Sequence, residues 1–248
     1  MSVAIPRREP SFLSKTWSLA RKDIRIELRS RDTLPPMLAF SLVVVLLMAF
    51  SLPSGTIAVL PRSVPVGTVP SNDVLAGFLW VTVLFAGLVA FARTFENERE
   101  AAAMDPLLLV PLDRSGLFLA KALANLVYIL TVQVFIVPTF LLLFQVKVGE
   151  GWPALILVIF LADLGFVAVG TLFAALAAQT TSRELMLPIL ALPMLVPVFI
   201  AAVELCSDLF AGQGFGQIAE RGWFGILVGF DAIFAIVAAI TFEFAIDP

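Results

Sequence analysis

Asp163 and Asp231 each stand inside a long apolar run, with no other charged residue within nine positions on either side. At ~1.5 Å rise per residue, each lies roughly 12 to 17 Å from the start of its helix, near the middle of a hydrocarbon layer about 30 Å thick. A carboxylate at that depth costs at least ~2.5 to 3.5 kcal/mol unless it is paired or neutral. Two readings stand side by side: a proton relay or polar lining of a translocation path, and a protonated carboxyl hydrogen-bonded to a neighbouring helix. No Lys or Arg lies at matching depth to pair with either one.

Other chemistry is sparse. The chain has no histidine, which removes the commonest general base and the commonest ligand for zinc and haem iron. Its one cysteine, Cys206, cannot form an internal disulfide, and no group has metal-ligand spacing. It lacks the G-x-x-x-x-G-K-[ST] pattern that would cradle a nucleotide. These absences predict that the chain is not itself an enzyme. Asn125, Tyr128 and Gln133 suit hydrogen bonds between helices, and Glu204 and Glu243 fall near helix ends that the interface can solvate.

With 248 residues, 60% hydrophobic and 14% charged, the chain lies far from a soluble domain, where about a quarter of residues are charged. Its composition predicts an all-α polytopic membrane protein. A net charge of -3 without a basic soluble domain gives no footprint for nucleic acid. Six apolar runs are long enough to span, at about 34–52, 74–92, 122–146, 152–178, 185–205 and 223–246. The fifth carries Pro188, Pro193 and Pro197, which remove three backbone donors and predict a kinked helix whose freed carbonyls need partners on neighbouring helices.

Residues 1–33 hold half of the basic residues, and Phe12, Leu13, Trp17, Leu19, Ile24 and Ile26 alternate with them. This pattern predicts an amphipathic helix in contact with membrane lipid, followed by a permease-like unit over 34–248. Thirteen cations fall on the side of the amino terminus and only Arg62, Lys147 and Arg221 on the other. The asymmetry predicts both termini in the cytoplasm.

The interval from Arg93 to Lys121 is therefore cytoplasmic as well. Glu96, Glu98, Arg99, Glu100 and Asp105 mix with Leu107, Leu108 and other large apolar groups at helical spacing. A plain solvated loop gives no reason for so many apolar groups. The pattern predicts a short helix between spans 2 and 3, lying on the membrane surface and facing a soluble partner, with Pro111 ending its last turn.

These residues carry a resemblance. Glu98-Arg99-Glu100, Met104-Asp105, Leu107-Leu108-Leu109, Pro111 and the downstream Lys121 resemble the E-R-E-x-G-x-L-E-x-L-L-L-S-P segment, with its lysine, of the haem exporter B (CcmB) permeases. The run from Leu187 to Pro197 resembles that family's V-L-P-L-x-I-P pattern. Ala102 replaces the family's glycine, Val110 its serine and Asp105 its glutamate. The resemblance implies an ABC-2-type permease of the cytochrome c maturation system in the bacterial inner membrane, working as a homodimer. It also implies a cytoplasmic CcmA-like ABC ATPase that binds ATP and docks on the coupling helix, a CcmC-like membrane subunit and a CcmE-like periplasmic haem chaperone. No cofactor is expected on this chain; a haem ligand from it would have to be Met186, Met194, Tyr128 or Cys206. Two other functions compete: an ABC-2-type exporter of lipid, polysaccharide or drug, and a proton-coupled carrier using Asp163 and Asp231.

Overall fold

The computed structural model describes residues 12–51, 72–95, 114–178, 180 and 183–245, and among them there is no strand. The basic segment forms α1, Phe12–Ser30. Arg31 ends it in the left-handed region, φ 59°, and its N–H donates to Glu27 O at 2.8 Å. The chain then turns directly into α2, Leu34–Ser51. Pro35 and Pro36 have no N–H to satisfy, so few orphan donors remain at this helix start. Glu27 Oε1 accepts two of them, from Thr33 at 2.8 Å and from Leu34 at 2.7 Å.

Next come α3, Asn72–Arg93, and α4, Arg114–Leu143. After a 3-10 turn at Gly149–Gly151 come α5, Trp152–Ala178, and α6, Arg183–Phe210. A short α7, Phe215–Ala219, precedes α8, Gly222–Ala245. Helices α2 to α6 are long and apolar enough to cross a bilayer. The 24 residues of α8 reach about 36 Å, and its stretch Gly222–Ala238 is apolar. In hydrocarbon a backbone must satisfy its own hydrogen bonds, so each long apolar run becomes a helix. The chain is a multi-pass, all-α membrane protein.

The centre of the bundle is α5, which packs against α3, α4, α6 and α8. Its glycines let rings in. Phe91 of α3 fills the space where Gly170 would carry a Cβ, and Phe166 of α5 does the same at Gly87 of α3. The two rings meet edge to face, 5.0 Å apart at 82°, and Phe166 continues to Phe199 of α6 at 5.1 Å. With lipid tails as apolar as leucine, close packing of this kind holds helices together where solvent exclusion cannot. The outermost spanning helix, α2, buries a single stripe of Met37, Ser41, Val45 and Ala49.

At the end of the bundle away from α1, three contacts tie helix ends. Trp80 Nε1 donates to Cys206 Sγ at 3.3 Å, Ser207 Oγ bonds to Asp73, and Arg221 pairs with Asp208 at 3.1 Å.

Several boundaries differ from those read from the sequence. α4 begins at Arg114, so residues 114–121 belong to a long helix rather than to a surface-lying segment. Leu117, Phe118 and Ala120 are buried there, which supplies the reason. α6 runs on through Ser207 and Asp208, past the end of the apolar run at 185–205. It also remains one helix across Pro188, Pro193 and Pro197. Pro193 and Pro197 are exposed, as is Ile189 one turn earlier. Ile189 and Pro193 are the residues whose carbonyls Pro193 and Pro197 free from the helix ladder.

Candidate functional site

The described polar residues gather along α4. Lys121, Asn125 and Gln133 are all buried; Lys121 meets α1, and Asn125 and Gln133 both meet α5. At the α1 end, Lys121 Nζ lies 2.9 Å from Asp23 Oδ2 of α1, with side-chain exposures of 4% and 11%. The ammonium also lies over the Phe95 ring, 5.5 Å from its centre, within the range of a cation–π contact. Arg93, the last residue of α3, donates from Nη1 to Asp32 O in the turn between α1 and α2, at 2.5 Å.

One turn beyond Lys121, Asn125 links α4 to α5 and to the turn that follows α3. Its Nδ2 donates to Thr171 Oγ1 of α5 at 3.0 Å, and its Oδ1 lies 3.1 Å from Thr94 Oγ1. Thr94 Oγ1 is equally close to Ala90 O, so its single proton serves one acceptor at a time. Around these groups is a chamber of about 30 Å³ lined by Asp23, Glu27, Arg93, Lys121, Asn125 and Tyr128.

Deeper along α4, Gln133 Nε2 donates to Asp163 Oδ1 of α5 at 2.9 Å. Gln133 Oε1 and Asp163 Oδ2 have no hydrogen-bond partner among the described residues. Asp231 of α8 sits against Gly165, two residues beyond Asp163 on α5, with both oxygens buried and no hydrogen-bond partner among the described residues. The two membrane carboxylates therefore share no hydrogen bond. Asp163 meets an amide in place of the cation that the sequence lacks at that depth.

The residues read from the sequence thus separate into groups. Lys121 enters the cluster at the α1 end, Asp163 on α5 bonds to Gln133 while Asp231 on α8 rests against Gly165, and Pro188, Pro193 and Pro197 lie along α6. Glu96, Glu98, Arg99, Glu100, Asp105, Leu107, Leu108 and Pro111 lie outside the described residues. Sequence reasoning missed Asp23, Glu27, Thr94 and Thr171. For the first two a signal existed: Thr16, Ala20, Asp23 and Glu27 recur at helical spacing and form the one side of α1 without cations. That side faces the protein, while Trp17 and Leu28 are exposed together with Arg21, Arg25 and Arg29.

The apolar side chains of α1 also divide differently from a simple lipid-facing stripe. Leu19 and Ile24 pack on the core, whereas Trp17 and Ile26 point outward. No group of three or more metal-ligating side chains occurs among the described residues. The arrangement holds and orients helices.

Comparison with known proteins agrees with a helix-bundle subunit of this kind. The family model described as CcmB protein matches residues 14–247. A protein named heme exporter protein B from Rhodobacter capsulatus is 29% identical over 192 residues, covering 76% of this chain and 80% of the relative. A protein of the same name from Bradyrhizobium diazoefficiens is 31% identical over 199 residues, covering 79% and 82%. The Escherichia coli protein of that name is 27% identical over 113 residues, 44% of each chain. A match running from the start of α1 to the end of α8 takes in every helix described above, and on that ground this chain is a member of the CcmB family.

Proposed function

We propose that this chain is the membrane permease subunit of an ATP-driven complex that handles haem for cytochrome c maturation. The observation that carries the reading is the CcmB family match over residues 14–247, on a chain that folds as a membrane bundle. ATP is hydrolysed on a separate CcmA-like cytoplasmic ATPase, which docks on residues 96–112. The chain pairs with a second copy of itself and works beside a CcmC-like haem-handling membrane subunit and a CcmE-like periplasmic chaperone.

Both termini face the cytoplasm of a bacterial inner membrane. Support comes from the cations: Arg21, Arg25, Arg29, Arg93 and Lys121 lie on or beside α1, whereas Lys147 and Arg221 belong to the turns at the other end. In this orientation the ends of α3 and α4 that bracket residues 96–113 open toward the compartment that holds ATP.

Co-purification tests the reading. The wild-type chain retains the ATPase, and deletion of residues 96–112 releases it while the bundle still inserts in the membrane. A cell lacking the chain loses its c-type cytochromes. An ATPase that stays bound to the deletion variant overturns the docking, and intact c-type cytochromes favour an ABC-2-type exporter of another cargo.

A further inference from the structure

Asp23 and Lys121 form an ion pair in an unusual place for an interfacial helix. A helix held only by lipid headgroups needs cations and apolar groups, and α1 has these on its outward side. Anionic headgroups repel carboxylates, so Asp23 and Glu27 contribute nothing to such binding. Both acids face the protein, and both are bonded there.

The bonds reach three helices. Asp23 holds Lys121 of α4, and Glu27, one turn on, accepts the first N–H groups of α2. Arg93 at the end of α3 donates to the turn between α1 and α2, and Phe95 lies beneath the Lys121 ammonium. A buried ion pair is weak evidence for stability, because desolvating the charges offsets their attraction. What it adds over an apolar contact is one preferred geometry. Sliding α1 along α4 separates the charges inside the protein, whereas an apolar face would slip and repack.

We propose that α1 is a strap that makes the ends of α3 and α4 move as one body with the start of α2, with Asp23 and Lys121 as its positioning residues. The proposal rests on the ATP-driven function above. A displacement delivered by the ATPase between α3 and α4 then reaches three membrane helices together. Without the strap the same displacement is absorbed locally.

Lys121→Met and Asp23→Asn test this, with Lys121→Arg as the conservative variant. In the purified chain alone, amide hydrogen exchange across α1 rises at least ~10-fold in the first two variants and stays near wild type in Lys121→Arg, while α5 amides are unchanged. In the assembled complex, Lys121→Met and Asp23→Asn retain the ATPase at wild-type stoichiometry and its basal turnover. Their yield of mature c-type cytochrome falls at least ~10-fold, and Lys121→Arg restores it.

Unchanged exchange in α1 overturns the strap. So does normal cytochrome yield from a chain whose α1 has loosened, or a yield that falls only in proportion to lost ATPase. A wild-type chain that binds no ATPase sinks the functional reading instead, and the exchange arm still decides the strap. Should Lys121→Met fail to fold, Asp23→Asn, which keeps the shape of the side chain, carries the same measurements.

Discussion

Gln133 on α4 donates its side-chain N–H to Asp163 on α5 across 2.9 Å, with both residues buried. Removing the amide leaves the carboxyl group without this partner, a change that costs about 1 to 3 kcal/mol for a buried group. Gln133→Leu should therefore lower the unfolding temperature by several degrees, on the order of 2 to 4 °C per kcal/mol for a chain of this size. Asp163→Asn keeps an acceptor for the same N–H and should cost less. The single buried Cys206 makes the measurement simple: a thiol-reactive dye reports unfolding as that sulfur becomes exposed on heating.

The crossing of α3 and α5 depends on two glycines that receive each other's phenylalanines. Gly170→Leu or Gly87→Leu drives a side chain into the Phe91 or Phe166 ring, and neither backbone can yield without separating the helices. Both should abolish recovery of monodisperse protein in detergent. Gly77→Ala, on the same α3 but with open space around it, should be harmless, and alanine favours the helix by up to ~1 kcal/mol. Equal losses at Gly77 and Gly87 would refute the ring-into-glycine account.

Glu27 caps a helix to which it does not belong. Glu27→Ala leaves the Thr33 and Leu34 N–H groups without their acceptor, and lost caps cost about 0.5 to 2 kcal/mol. Hydrogen exchange should quicken in the first turn of α2 and leave the middle of α5 unchanged. Glu27→Gln retains the acceptor oxygen and should fall between the two.

The competing carrier function depends on Asp231, and the ATPase reading depends on the charged segment between α3 and α4. Asp231→Asn should leave c-type cytochrome yield within about twofold, since the amide keeps the shape that rests on Gly165. Glu98→Lys or Leu107→Asp should reduce that yield and the bound ATPase together, each by tenfold or more if the contact is worth about 1.4 kcal/mol or above. The opposite ranking would favour the carrier.

Much of the architecture was legible because hydrocarbon enforces it. Long apolar runs such as Val74–Ala92 and Trp152–Ala178 have only one way to satisfy their backbone, so run length alone predicts a helix. The amphipathic character of α1 was legible for the same kind of reason: its cations cannot enter the membrane and its tryptophan prefers the interface. Where charge interrupts the pattern, legibility ends. Residues 114–121 read as surface because Arg114 and Lys121 are costly in lipid, and α4 includes them because Lys121 is buried against Asp23.

By itself the sequence determined that this chain crosses a membrane several times, which end carries the cations, and which family it resembles. Only the tertiary structure decided that Asp23 meets Lys121, that Gln133 meets Asp163, and that Asp231 rests on Gly165. Each pair joins different helices, and helical spacing orders residues only along one helix. Which face of one helix meets which face of another depends on where glycine lets a ring or a carboxylate come close, a property of the packed bundle.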